Sequence, residues 1–202
     1  DLAQTIDIQF TPAIQDLAQS LGGQPVAIRN WVHDHIEFMP TWGSIQGADQ
    51  TLLNRRGNAL DIASLTLALM RTSGIPARYV RSVVELPVDK VQNWLDAPTP
   101  EIALDLMQKG GIPSAAVVVA GRMQAIRFEH VWVESWVDFI PSRGAINRVP
   151  DQWVPVDVAY KQFDIIPALP WRAPAQAAMQ TALNDMASHI VVDPDGGIRG
   201  LD

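Results

Sequence analysis

One histidine and one aspartate of this chain, residue types that hold and move a proton, each sit in a pattern that would aim them. In the run Glu129-His130-Val131-Trp132-Val133-Glu134-Ser135-Trp136-Val137, strand alternation puts Val131, Val133 and Val137 on one face. His130, Trp132, Glu134 and Trp136 fall on the other, so the imidazole heads a polar and aromatic face opposite a valine face. Between Gln152 and Val158, the residues Val154, Val156 and Val158 alternate in the same way with Trp153, Pro155 and Asp157. If these strands are neighbours, Asp157 and His130 share one side of a sheet. The carboxylate could then hold the imidazole in one tautomer and stabilise its charged form. Taken alone, such a pair reads as a partly buried histidine with an acidic partner.

A third group would turn the pair into a reaction site. A Cys-His-Asp arrangement needs its thiol at a helix N-terminus, where free amides and the dipole favour thiolate. The stretch from Arg56 to Val80 has that context. Asn58 is a good N-cap, Asp61 can answer as its capping-box partner, Arg71 suits the last turn, Gly74 can take the left-handed C′ conformation and Pro76 stops the helix. Between the caps Leu60, Ile62, Ala63, Leu65, Leu67, Ala68, Leu69 and Met70 are apolar almost all round, which predicts a buried helix. Gly57 would let another backbone approach closely. Yet Ala59 stands where the nucleophile is wanted, and the chain contains no cysteine. Asn58 is not a nucleophile of this kind, and Ser64 lies more than a turn inside the helix.

These segments together resemble the transglutaminase-like superfamily. Gly57-x-Ala59-x-Asp61-x-Ala63, then Leu69-Met70-Arg71 and Gly74-Ile75-Pro76-Ala77-Arg78-Tyr79-Val80, are similar to its core motif. His130-Val-Trp-Val-Glu134 resembles the histidine motif and Trp153-Val-Pro-Val-Asp157 the aspartate motif; Trp31-Val-x-x-x-Ile36 and Thr51-Leu-x-x-x-x-Gly57 fit upstream. The match runs over residues 25–160 in order. It implies an α+β, papain-like fold in which a buried helix packs on an antiparallel sheet. Family members act on glutamine side chains or on peptide and amide bonds through a cysteine thioester, with no cofactor. On that resemblance His130 would be the general base, Asp157 its orienter and Ala59 the nucleophile position.

The departure at Ala59 removes the attacking atom, since a methyl group cannot add to a carbonyl. Two accounts of it stand. Either the domain has lost its thiol naturally and serves as a peptide-binding or organising part of a larger bacterial protein, secreted or on the cell surface. Or an engineered Cys-to-Ala change has silenced an acyltransferase, deamidase or peptidase acting on protein amide groups.

The remaining elements must position these residues. Thr11–Leu21 and Pro25–His35 read as helices, Phe38–Gln50 as a loop, Arg78–Leu86 as a strand, and Val88–Leu95 and Thr99–Gln108 as further helices. Strands are expected over Ala115–Ala120, Met123–Asp138 and Gln152–Ala159, with a turn at Pro141-Ser142-Arg143-Gly144. Helices first and antiparallel strands after favour α+β. A domain over 1–165 is expected, followed over 166–202 by a proline-marked linker (Pro167, Pro170, Pro174), a helix from Ala175 to Ser188 and a turn at Asp193–Gly197. In the loop, Trp42 and Gln46 are candidates to line the substrate cleft with Trp132, though Trp42 reads more readily as a buried aromatic anchor. Trp136 is a further candidate for the cleft.

The 202 residues, 48% apolar and 18% charged, are enough for a core without staples. A net charge of −7 argues against nucleic acid, because phosphate contacts need clustered Lys and Arg. No apolar run is long enough for a membrane span, and the absence of cysteine excludes disulfides and thiolate metal sites. His33-Asp34-His35 suggests no metal site, since helical neighbours two apart diverge. Glu129 and Glu134 read as solvated. The chain opens on Asp1 and reads as part of a longer polypeptide, so the expected partner is a protein or peptide.

Overall fold

The computed structural model describes residues 1–140, 144–146, 149–164, 166, 172–192, 194–195 and 198–201. The first ten residues are fixed by the later chain: Ala77 N donates to Asp1 O at 3.0 Å, Arg71 Nη1 to Ala3 O at 2.6 Å, and Ile8 is buried. Helices α1 (Pro12–Ser20) and α2 (Pro25–His35) each open on a proline, where a missing N–H costs nothing. Thr11 precedes α1 but does not cap it with its side chain. Its hydroxyl donates instead to Asp49 Oδ1 at 2.7 Å.

The loop expected over Phe38–Gln50 ends at Gln46. Strand β1 (Glu37–Phe38) pairs in parallel with β2 (Arg56–Gly57), and between them lies a helix absent from the sequence reading, α3 (Gly47–Asn54). Its first residues are held by non-local contacts, with Ala48 N donating to Asp7 O at 2.8 Å, which no local pattern announces. Helix α4 (Ala59–Thr72) then has the caps its sequence promised. Asn58 Oδ1 accepts from Leu60 N and Asp61 N, while Asp61 Oδ2 accepts from Asn58 N. Asp61 also takes Ile45 N and Gln46 N on Oδ1, so the preceding loop is pinned to the helix start. A Cβ at Gly57 would lie 2.8 Å from Asp61 Cβ, which explains the glycine. Every residue from Asp61 to Met70 is buried.

Strand β3 (Ala77–Pro87) leads into α5 (Val88–Leu95) and α6 (Pro100–Lys109), then β4 (Ser114–Val119), the nineteen-residue β5 (Arg122–Ile140), β6 (Gly144–Ile146) and β7 (Gln152–Val156). These five strands form one antiparallel sheet with β5 at its centre. Strand β3 flanks one side along Ala125–Ser135. The other side is shared, with β4 pairing Arg122–Phe128, β7 pairing Val133–Val137 and β6 pairing Asp138–Ile140. The β4 and β7 ladders therefore leave Glu129, His130, Val131 and Trp132 between them. The last strand stops at Val156, short of the expected Ala159. Residues 141–143 of the expected turn lie outside the described residues.

The length of β5 has a purpose visible in its burial. Ile126, Phe128 and His130 are buried toward α5 and α6, among Val91, Trp94, Ala103 and Met107. Val131, Val133 and Val137 are buried on the opposite parity, against α4. One strand thus serves two cores on its two faces, and the exchange falls between His130 and Val131. The α5–α6 segment is the cover of the second core.

The chain divides into two compact units, Asp1–Phe163 and Asp164–Asp202. In the second, α7 (Arg172–Ser188) buries no residue, and β8 (Ile190–Val192) pairs antiparallel with β9 (Ile198–Leu201) around a turn at Pro194–Asp195. Pro174 lies inside α7 rather than in a linker; Pro167, Pro170, Asp193, Gly196 and Gly197 lie outside the described residues. Among the described residues, no helix is long and apolar enough to cross a membrane.

Candidate functional site

Where β7 ends, the chain turns on Asp157. Its Oδ1 accepts from Ala159 N at 3.1 Å and Tyr160 N at 3.2 Å, closing a local Asx-type turn. Its Oδ2 lies 2.9 Å from His130 Nε2. A carboxylate only accepts, so this contact places the imidazole proton on Nε2 and leaves Nδ1 as the basic nitrogen. Among the described residues Nδ1 has no hydrogen-bond partner. The His130 side chain is 6% exposed and that of Asp157 32%, so the proton-accepting edge is sheltered while the carboxylate meets solvent.

Around His130 the second core opens into a cavity of about 410 Å³, with Trp94, Phe128, Trp132 and Tyr160 as its aromatic lining. Trp94 meets the imidazole edge-on at 5.6 Å with planes at 90°, and Trp132 lies parallel to it at 6.2 Å. Trp94 Nε1 donates to Ala159 O at 2.9 Å, fixing the segment that carries Asp157. Burial pushes the Tyr160 phenol above its ordinary pKa, with Asp89 and Asp157 adding to the shift.

Ala59 is 5% exposed at the first turn of α4 and packs on the other parity of the strand. It lines a small void with Val131, Val133 and Val158, one too tight for a water molecule. Asp157 and Trp132 line both this void and the His130 cavity.

The other candidates are placed differently. Trp42 does not line the His130 cavity. It is partly buried between the two cores, its backbone N donates to Gly110 O at 3.0 Å, and the Arg81 guanidinium lies 5.4 Å from its ring. That close approach needs Gly110, whose added Cβ would fall 1.7 Å from Pro40 O. Gln46 is also outside the cavity. Its Nε2 donates to Arg56 O and its Oε1 accepts from Asn54 Nδ2 at 2.8 Å, so its amide is spent on structure. Of the three cleft candidates, only Trp132 lines the cavity. Trp136 packs instead against Trp153 at 5.5 Å. Ser64 is buried and bonded to Leu60 O and Tyr79 Oη.

Glu129 and Glu134, expected to be solvated, pair across the sheet with Arg81 and Arg78. His33 pairs with Asp34, while His35 stacks on Trp31; among the described residues no group of three His, Cys, Asp or Glu is placed to hold a metal. Trp94 and Tyr160 were not singled out in the sequence. The available signals were the Val91/Trp94 spacing on an amphipathic helix and the position of Tyr160 one turn after Asp157.

The sequence profile of the transglutaminase-like superfamily matches residues 8–158. No curated protein matches the chain. A crystal structure from Cytophaga hutchinsonii, provisionally assigned as a cysteine protease, is similar at 19% identity and a TM-score of 0.43, covering 78% of this chain. The match takes in 40% of that protein's length.

Proposed function

Because the chain belongs to the transglutaminase-like superfamily, we propose that it is a domain that keeps the family's cleft without its thiol chemistry, and that its role is to bind a peptide. The observation that carries this is the pairing of an open, aromatic-lined cavity of about 410 Å³ with a methyl group at the nucleophile position. A cavity of this size with few polar groups suits ligand binding. Without a sulfur at position 59 no thioester can form. In this reading the domain organises a larger bacterial secreted or surface protein by holding a peptide segment. The test is selection from a random peptide library on the full chain. A selected peptide should bind, perturb the Trp132 indole signal in NMR spectra, and be neither cleaved nor joined to an amine. Turnover of a peptide by the chain as written, lost in His130→Ala, would overturn the reading.

The contact between His130 Nε2 and Asp157 Oδ2 favours a second reading, in which a thiol belongs at position 59 and the domain is an acyltransferase, deamidase or peptidase. His130 Nδ1 would take the thiol proton, the thiolate would add to an amide carbonyl, and the proton would leave with the departing amine. Ala59→Cys is then expected to gain a thiol of depressed pKa that iodoacetamide alkylates rapidly. Adding His130→Ala should slow that reaction. Alkylation at the rate of an ordinary exposed cysteine in both variants would count against the second reading.

A further inference from the structure

Resting on the reading that the His130 cavity is the ligand site, we infer that it is a cage for a quaternary or fully methylated alkylammonium group. Its lining carries Trp94, Phe128 and Tyr160 around His130: Trp94 stands at 90° to His130, at 76° to Tyr160 and tilted at 39° to Phe128, and Phe128 stands at 73° to His130. Trp132 continues the enclosure beside the imidazole. Aromatic faces are electron-rich and attract a weakly hydrated cation. Among the described residues no lysine or arginine lines the cavity, and Asp157 is the one carboxylate that does. The charge therefore suits a cation, and the rest of the lining suits methyl groups.

The hydrogen bonds of Asp157 decide which cation. A carboxylate offers about four acceptor positions. Three are occupied, by His130 Nε2, Ala159 N and Tyr160 N. A primary ammonium brings three strongly hydrated N–H donors and would find about one free acceptor there, so on entering it gives up water for few hydrogen bonds in return, at a cost. A quaternary ammonium brings none. It keeps the attraction of the rings and of the carboxylate and escapes that penalty.

The experiment is calorimetric titration of the full chain at matched ionic strength with choline, its uncharged isostere dimethylbutanol, and butylammonium. Choline should bind, and the other two should bind at least about tenfold more weakly. Trp132→Leu and Asp157→Asn should each weaken choline binding by about tenfold while circular dichroism stays that of the parent. A peptide carrying trimethyllysine separates the sources: binding tighter than free trimethyllysine assigns the group to a protein side chain, and equal binding to a small molecule. Equal affinity for choline and dimethylbutanol would overturn the cage, as would indifference to both weakening variants. If a library-selected peptide occupies the cleft but no alkylammonium does, the cage fails while the peptide-binding reading stands; if neither binds, both fail.

Discussion

At the scale of single residues, the site depends on one carboxylate doing several tasks. Asp157 orients the imidazole, closes its own turn and lines both the Ala59 void and the His130 cavity. Asp157→Asn can still accept through its amide oxygen but removes the charge that stabilises the imidazolium and can present N–H to the ring instead. We expect nitrogen-15 NMR to find the parent imidazole as the Nε2–H tautomer and the variant with a changed tautomer ratio. An unchanged ratio would mean that something other than Asp157 fixes the ring. The tyrosines give a second residue-level expectation. Burial raises the Tyr79 and Tyr160 phenols above the ordinary value of 10.0. The unfolded chain then releases these protons at lower pH than the folded one, so the folded state holds more protons in the window above the unfolded value. Stability from these groups is full below that window and is lost as pH rises through the folded values. Unfolding free energy should fall on the alkaline side in step with tyrosinate absorbance. Tyr79→Phe should flatten part of that fall, at a cost of about 1 kcal/mol for its hydrogen bond to Ser64.

At the scale of elements, β5 is the member on which both cores depend, and its change of buried face gives a sharp expectation. Ile126 and Val133 are fully buried on opposite faces of the same strand. At roughly 3.3 Å per residue they are far enough apart to share no packing. Ile126→Ala should cost about 2–5 kcal/mol, with a smaller loss for Val133→Ala. The double variant should equal the sum within about 0.5 kcal/mol in denaturant unfolding. A larger coupling would mean that the two clusters behave as one body. This strand also marks where the sequence was legible. Its alternation is a local signal, so the His130 and Val131 faces could be read directly. The capping of α4 is equally local, with Asn58, Asp61 and Gly74 announcing both ends. What could not be read depends on distant partners. Helix α3 is held partly by Asp7, Gln46 is committed to Arg56 and Asn54, and Trp94 reaches the cavity only because α5 folds back over the sheet. The valine alternation also continues past Val156 in sequence, whereas the Asp157 turn ends the strand there.

At the scale of the whole molecule, both hydrophobic clusters and the His130–Asp157 pair lie within Asp1–Phe163, whereas α7 of the second unit buries nothing. The first unit should therefore contain what its own cooperative unfolding requires. Its last residues are informative about where that requirement ends. Phe163 N donates to Asn93 Oδ1 at 2.7 Å and Asn93 Nδ2 returns a bond to Phe163 O at 2.8 Å. Lys161 Nζ donates to Ile36 O at 2.6 Å, and Gln162 Nε2 to Lys90 O at 2.9 Å. A chain ended after Phe163 keeps all of these ties; one ended after Tyr160 loses them while keeping Asp157 and its turn. We expect the chain ended at Phe163 to unfold in one transition, with a stability within about 0.5 kcal/mol of the parent. The chain ended at Tyr160 should lose about 2 kcal/mol or more, taking roughly 1 kcal/mol for each well-made hydrogen bond and less for the exposed ones. Equal stability for the two shortened chains would show that the 161–163 segment anchors nothing. A broad or early transition for the chain ended at Phe163 would place part of the folding requirement beyond it.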